Sequence, residues 1–485
     1  MLRRCVSLVV VLAAAPAGAE TFQVGPTRAY QELDDVVDLV RPGDVVEIDG
    51  GHTYPGGVVF DRAGEPNNKI TVRGIRVNGS RPVISGGTNT IEARANHYVF
   101  EGLDLTAGTS RCFYHHADDI TLRDSIVHYC PAQGILGADS DSGSFTLEYS
   151  EVHNCGNGTQ QHQIYMSTDA SVYPNAVFRM QWNYIHDANG GNNVKSRAAR
   201  NEVFYNWIEG ALYHEVELIG SEANPEALVR EDSDVVGNVL MKRNANSFVV
   251  RFGGDGTGQT NGRYRFVNNT VIVMPQGGAV FRLFDGIDSL EAHNNAFAVR
   301  GSGTVNMVRE AEATWVSGST TIAGQNNWIQ SGAQNIPAGF TGTIEGAEPG
   351  FTDLANDDLR PVSGSPLVDA GATSLAGPTG HEFPNPLPAP LYLPPGKVAV
   401  ITGSAEGRNS VGTIDIGAFE LGGGGPPPDG GNNGGGDGGT GPGTGDGDDS
   451  GCGCALGGGT GGGGASLVMA VALLLRRKRA RCRPA

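Results

Sequence analysis

WNYIHDANGGNNVKSRAARNEVFYNWIEGALYHEVEL, Trp182 to Leu218, carries two copies of one pattern. Asn183-Tyr184-Ile185 is followed nine residues on by Val194, and Asn206-Trp207-Ile208 eight residues on by Val216. The pattern recurs on both sides. Serine or asparagine stands at Ser125, Ser150, Asn183, Asn206, Asn238, Asn269, Asn295 and Asn327, in steps of 25, 33, 23, 32, 31, 26 and 32 residues. An apolar residue follows two positions later each time: Val127, Val152, Ile185, Ile208, Leu240, Val271, Phe297 and Ile329. A period of this size, built from short β-type runs between turn residues, predicts a solenoid. Runs such as ITLRDSIVH, FTLEYSEVH and YRFVNNTVIV are β-branched or aromatic and partly alternate, which favours strand over helix. One coil cannot bury its own apolar side chains, but stacked coils share a core. The repeated asparagines suit internal turns, where the side chain tolerates unusual backbone angles and bonds across coils.

The coil length and the asparagine ladder resemble the right-handed parallel β-helix, over about Thr21 to Leu421. The expected fold class is therefore all-β, a right-handed parallel β-helix with an N-terminal helical cap and a disordered Gly/Pro linker. The cap and first strand occupy 20–49, with helical apolar spacing over Tyr30 to Val40 and a stop at Arg41-Pro42-Gly43. The β-helix and its closing segment run from 50 to 421. The closing runs DDLRPVSGSPLVDAGA and TIDIGAFEL resemble those of secreted β-helix proteins. The Pro-rich stretch His381 to Pro395 is expected to strap the last coils.

The ends have a different character. Residues 1–19 read as a signal peptide: Arg3 and Arg4, an apolar run from Val6 to Ala15, then Ala17-Gly18-Ala19. Export permits disulfides. Cys130 and Cys155 each stand three residues after the repeating apolar position, hence on adjacent coils, compatible with a disulfide that leaves Cys112 over. Two buried thiols are the alternative. Residues 422–450 form a Gly/Pro/Asp linker without apolar side chains. Residues 451–485 hold Cys452 and Cys454, the apolar run Ala465 to Leu475 and a basic end from Arg476. Together with 455–464 the apolar run reaches transmembrane length. This tail resembles the myxobacterial C-terminal sorting signal. The resemblance implies partners in C-terminal processing and surface anchoring. It places the protein at the cell surface, associated with the outer membrane, or released after processing.

The 485 residues carry a formal net charge of -18, which excludes nucleic acid as the main partner. An acidic polysaccharide stays open, because a local basic cleft can sit in an acidic protein. A monomer is expected. Aligning the second strand of each coil on the inward residues Ile135, Ile164, Val194, Val216, Phe248 and Val280 turns Tyr165, Lys195, Arg197, Glu217 and Arg251 outward on one surface. His162 and His214, two residues before the inward position, are expected to point outward too. A second column is His128, His153, His186 and Glu209, suited to metal or an anionic chain, or else to ordinary stacking.

Lys195-Ser196, followed by Asn201 and Asn206, resembles the lysine-bearing coil of polysaccharide lyase family 6, which cleaves alginate and chondroitin. The resemblance implies β-elimination on a uronic-acid glycan. Lys195 would act as base, Arg197 or Arg251 would neutralise the carboxylate, and Tyr165 or His162 would protonate the leaving oxygen. That family often holds calcium before the lysine, where this chain has Gly191, Asn192 and Asn193 and lacks the glutamate. No cofactor is certain, and Ca²⁺ is the metal the Asp- and Asn-lined turns suit. The alternative function is a noncatalytic glycan-binding or structural surface protein. Asp187, Glu209, Glu215 and Glu217 offer carboxylates for hydrolysis, but no Asp-Asp motif of the pectin hydrolases accompanies them.

Overall fold

The computed structural model describes residues 18–220, 232–244, 248–254, 260–275, 278–284, 287–309, 321–397 and 403–424. The expected signal peptide up to residue 17, most of the linker and the cysteine-bearing tail lie outside them.

The described strands stack into three parallel sheets of thirteen, twelve and nine strands. Each regular coil gives one strand to each sheet. Arg200–Phe204 joins the thirteen-stranded sheet, Trp207–Glu209 the twelve-stranded one and Val216–Leu218 the nine-stranded one. Every interior strand pairs with the coil before and the coil after, so only the ends of the stack present edges. Alternation within strands fills the lumen. Phe145, Leu147, Phe178, Met180 and Val203 from one sheet meet Val152, Ile185 and Ile208 from the second and Ile135, Ile164 and Val194 from the third, all buried.

The corner between the first two strands explains the asparagine repeat. At successive corners Asp124, Tyr149, Trp182, Tyr205, Gly237, Asn268, Asn294 and Asn326 take a positive φ, and the next residue is the repeating Ser or Asn. The asparagine side chains run as a buried ladder. Nδ2 of Asn183, Asn206, Asn238, Asn269 and Asn295 each donates to Oδ1 of the next asparagine at 2.9–3.1 Å, ending at Asn327. Each Oδ1 also accepts the backbone N–H of the preceding rung, as Asn238 does from Asn206 at 2.8 Å. A short side chain with an acceptor oxygen pairs that N–H; at the first rungs a hydroxyl does so, Ser125 Oγ for Leu103 and Ser150 Oγ for Ser125, each at 3.2 Å. The bulky left-handed residues are compensated by stacking. Tyr149, Trp182 and Tyr205 pile on one another and are capped by Tyr392. A Cβ on Gly237 would lie 2.7 Å from Tyr205 Cδ1, so the next corner is glycine.

Three expectations are corrected. The N-terminal helical cap is absent: among the described residues the segment holds only a single 3-10 turn, Leu33–Asp35. Leu33, Val36 and Val40 are buried as their spacing requires. The Asp35 carboxylate accepts the backbone N–H groups of Gln31 and Glu32 at 2.9 and 3.0 Å and so completes a capping box, but the turn goes no further because the β-branched Val36 and Val37 and the flanking aspartates are poor helix formers. The disulfide joins Cys112 to Cys130, with Cα atoms 5.6 Å apart, and Cys155 is a buried free thiol. Equivalent side chains on stacked coils point the same way, whereas a bridge needs side chains that converge, as Cys112 and Cys130 do across a corner of one coil. Burial pushes the Cys155 thiol up to about 12. Finally, the transmembrane element is not supported: no helix among the described residues is long and apolar enough to cross a membrane.

The C-terminal part covers two outer faces of the stack. Leu359, Leu367, Ile416 and Ala418 bury Trp207, Val239, Ile272 and Trp328 of the twelve-stranded sheet. The Pro-rich strap reaches the middle coils rather than only the last ones. Phe383 lies over the guanidinium groups of Arg200, Arg263 and Arg265, and Tyr205 donates to the Ala389 carbonyl at 3.0 Å. The nine-stranded sheet is left to the candidate site.

Candidate functional site

Strand register on the nine-stranded sheet puts one residue per coil in a row: Glu92, Tyr114, Leu136, Tyr165, Lys195, Glu217, Arg251 and Arg282. Neighbours in such a row stand about 4.8 Å apart. Tyr165, Lys195 and Glu217 lie where the sequence alignment puts them. Arg251 does not: it pairs with Glu217, and so belongs to the row of Lys195 rather than that of Arg197. Val250 and Phe281, not Phe248 and Val280, continue the inward column. The turns before these strands differ in length, and the alignment slips by two residues and by one. The one-residue slip swaps faces and conceals Arg282.

Tyr165 is the hub. Lys195 Nζ lies 5.0 Å from its ring centroid. Arg197 Nε donates to its hydroxyl at 2.9 Å, and Arg197 Nη1 donates to the Gly220 carbonyl at 2.7 Å. Arg197 is 2% exposed, so it does not project into solvent as the alternation implies. It works from beneath the face by fixing the tyrosine. His162 meets Tyr165 edge-on at 5.5 Å between centroids. His162 and His214 are buried, not outward. They precede the strands, where the chain is still turning and alternation does not apply. His162 Nδ1 accepts the Asn192 N–H at 2.9 Å. Burial, helped by Lys195 and Arg197, holds its imidazole down to about 3, so it stays neutral. A Cβ at Gly191, which has a positive φ of 58°, would sit 2.3 Å from that nitrogen, so glycine is what lets the turn close over it.

Glu217, buried beside Lys195, forms an ion pair with Arg251, Oε1 to Nη1 2.8 Å, and takes a short hydrogen bond from Asn192 Nδ2 on its other oxygen. Arg251 and Arg282 both stack on Phe284 at 4.3 Å. Beneath them, Glu215 is fully buried with Lys242, Nζ to Oε1 3.7 Å. Desolvation pushes its carboxyl up to about 7.

The residues before Lys195 do not fit calcium. Asn192 is bonded to Glu217 and to His214 N, while Asn193 donates to the Glu209 carbonyl and Glu215 and accepts from Gln163. Their amides are already committed. Among the described residues no group of three or more His, Cys, Asp or Glu could hold a metal. The histidine column is real, with 5.0 Å between His128 and His153 and again between His153 and His186. It lies on the twelve-stranded sheet, tied by hydrogen bonds from His128 to Asp104 and from His186 to Glu151.

Upstream on the nine-stranded sheet the same row runs past a cavity of about 490 Å³ lined by Glu92, Arg94, His116 and Tyr173. The face therefore combines cations, aromatic rings and hydroxyls along one straight track.

No family model matches the chain, and no curated protein does. Similar solved structures include pectate lyase Pel9A, at 13% identity over 84% of this chain and 97% of that one, TM-score 0.48. A rhamnogalacturonan lyase is similar at 14% identity over 72% and 94%, TM-score 0.44. An alginate lyase from Paenibacillus sp. is similar at 16% identity over 60% and 99%, TM-score 0.37. At these values the likenesses carry no statement about chemistry, and the solenoid rests on this chain's own strand pairing.

Proposed function

We propose that this chain is an exported protein that acts on an acidic polysaccharide at the Tyr165–Lys195 face, by β-elimination beside a uronate carboxylate. One observation carries the reading: Lys195 and Arg197, two residues apart on one strand, both engage Tyr165 of the adjacent coil, at its ring and its hydroxyl. β-Elimination needs three functions within one sugar's width. Lys195 takes the proton from the carbon beside the carboxylate. The electron pair forms the C4–C5 double bond as the C4–oxygen bond breaks, and Tyr165 gives its proton to the leaving oxygen. Arg251, two rungs from Lys195 and paired with Glu217, reaches back along the row to offset the charge that builds on the carboxylate. Arg197 and His162 position Tyr165. No metal enters these steps.

The test is ultraviolet absorbance of unsaturated uronate on alginate, pectin and glycosaminoglycans. The expected result is product from one of them, abolished in Lys195→Ala and strongly reduced in Tyr165→Phe. Product formation that survives Lys195→Ala refutes the assignment.

A second reading is binding without turnover. It is favoured by Glu217, which already neutralises Arg251 at 2.8 Å. Retention on an acidic-glycan column with no absorbance change would decide for it. The surface display implied by the tail is proposed alongside both.

A further inference from the structure

The outer row of the nine-stranded sheet does not end at Arg282. Phe281 bridges Val308 of the next coil, and the Arg309 N–H donates to the Phe281 carbonyl at 3.1 Å, so Arg309 follows Arg282 in register. Arg251, Arg282 and Arg309 therefore occupy successive rungs, about 4.8 Å apart. Two phenyl rings hold them. The Cζ atoms of Arg251 and Arg282 each lie 4.3 Å from the Phe284 centroid, and those of Arg282 and Arg309 lie 5.4 and 5.8 Å from the Phe248 centroid. Stacking takes the flat face of a guanidinium and leaves its N–H edge for a planar anion. Arg309 is exposed, and Arg251 and Arg282 are half-buried. Among the described residues Glu217 is the one carboxylate in ion-pair contact with this run, on Arg251.

Like charges on neighbouring rungs repel, so such a run costs stability until a ligand brings the opposite charge. Upstream of Lys195 the same row has a different character, with Tyr165, Leu136, Tyr114 and Glu92. The cations of the row thus all stand from Lys195 onward. From Lys195 to Arg309 the row climbs through Glu217, Arg251 and Arg282, a rise of about 19 Å. A pyranose in an extended chain advances by a length close to one rung, so the run matches about four sugars. A single-stranded nucleic acid fits less well. It binds by laying bases on aromatic faces, and Phe248 and Phe284 already carry guanidiniums there.

We propose that Arg251, Arg282 and Arg309 anchor one arm of a polyuronate chain, so that this face takes a run of several uronates on the downstream side of Lys195 rather than a short oligosaccharide. The arginine edges fork onto carboxylates of the arm. Arg282 and Arg309 bind the polymer away from the reacting atoms. The proposal rests on the reading of the nine-stranded face as an acidic-glycan track, and not on elimination.

The experiment is affinity electrophoresis of the full chain through gels holding alginate, polygalacturonate or neutral dextran. It uses the Tyr165→Phe background, which slows turnover and keeps every cation of the row. Alginate or polygalacturonate should retard the chain and dextran should not. A hexamer of the retarding polymer should release it at a far lower concentration than the dimer. Arg282→Ala should weaken hexamer binding about tenfold and the exposed Arg309→Ala about threefold. In the double variant the advantage of hexamer over dimer should shrink. Arg282→Lys, which keeps the charge and loses the fork, should recover part of the loss, and circular dichroism reports whether the solenoid is intact. No retardation by either uronan, equal retardation by dextran, or unchanged hexamer binding in the double variant overturns the proposal. So does a single-stranded oligodeoxynucleotide that competes as well as the hexamer. Unsaturated product with hexamer binding indifferent to both arginines would leave elimination standing and remove the anchor. Hexamer binding that needs both arginines, without product, would do the reverse.

Discussion

Replacing Asn238 by alanine removes one rung from the middle of the asparagine ladder. Its Oδ1 accepts the Asn206 N–H at 2.8 Å and Asn206 Nδ2 at 3.0 Å. Its Nδ2 donates to the Val203 carbonyl at 2.8 Å and to Asn269 Oδ1 at 3.0 Å. Asn206 Nδ2 keeps the carbonyls of Met180 and Phe204, so it is not orphaned. The Asn206 N–H loses its partner in a fully buried corner, while the Val203 carbonyl stays in a strand paired on both sides. At about 1–3 kcal/mol for the unpaired N–H and about 1 kcal/mol for the other bonds lost, the substitution costs about 2–4 kcal/mol. Ser125→Ala provides the contrast near the start of the ladder. Its Oγ accepts one longer bond, from Leu103 N at 3.2 Å, so about 1–2 kcal/mol is expected. Urea unfolding gives the totals. Because coils of a solenoid can open separately, native-state hydrogen exchange at the Asn206 amide gives the local cost. A cost for Asn238→Ala no larger than that for Ser125→Ala would refute the view that the ladder, rather than apolar stacking alone, holds the corners.

Peptide mapping without reductant should link Cys112 to Cys130 and return Cys155 as a thiol that does not react until the chain unfolds. Ser at both bridged positions should cost about 3 kcal/mol, from a loop with sequence separation 18, and a Cys130–Cys155 linkage would refute the pairing. Burial holds His115 neutral in the fold, down to about 4. The unfolded chain takes up a proton near 6.5 and the folded chain does not. Stability is therefore full above that value and falls by about 3 kcal/mol as pH drops toward 4. His115→Phe should flatten the acid limb of a stability–pH curve, and an unchanged slope would count against it.

The repeat was legible from residues alone because a solenoid is close to one-dimensional. Each coil restates the same local demands, so Asn183, Asn206 and Ile185 announce their environment without knowledge of distant segments. The Tyr165–Lys195–Glu217 row followed from the same bookkeeping, because Ile164, Val194 and Val216 are the inward residues of their strands. Arg251 and Arg282 could not be placed that way, since Phe248 and Val280 are apolar too and compete with the true inward residues Val250 and Phe281, and register there is set by pairing with Glu217 and by Phe284 against both guanidiniums. Nor could alternation foresee that Arg197 turns under the face, because only the fold brings the Gly220 carbonyl and the Tyr165 hydroxyl within its reach. The choice of Cys112 as the partner of Cys130, and the meeting of Glu209 with Asp357 through Arg243, depend on how corners and the C-terminal cover lie in space. Period and alternation are properties of neighbours along the chain. Contacts between residues over a hundred positions apart, such as Arg243 and Asp357, exist only once the stack has formed and its outer face has been covered.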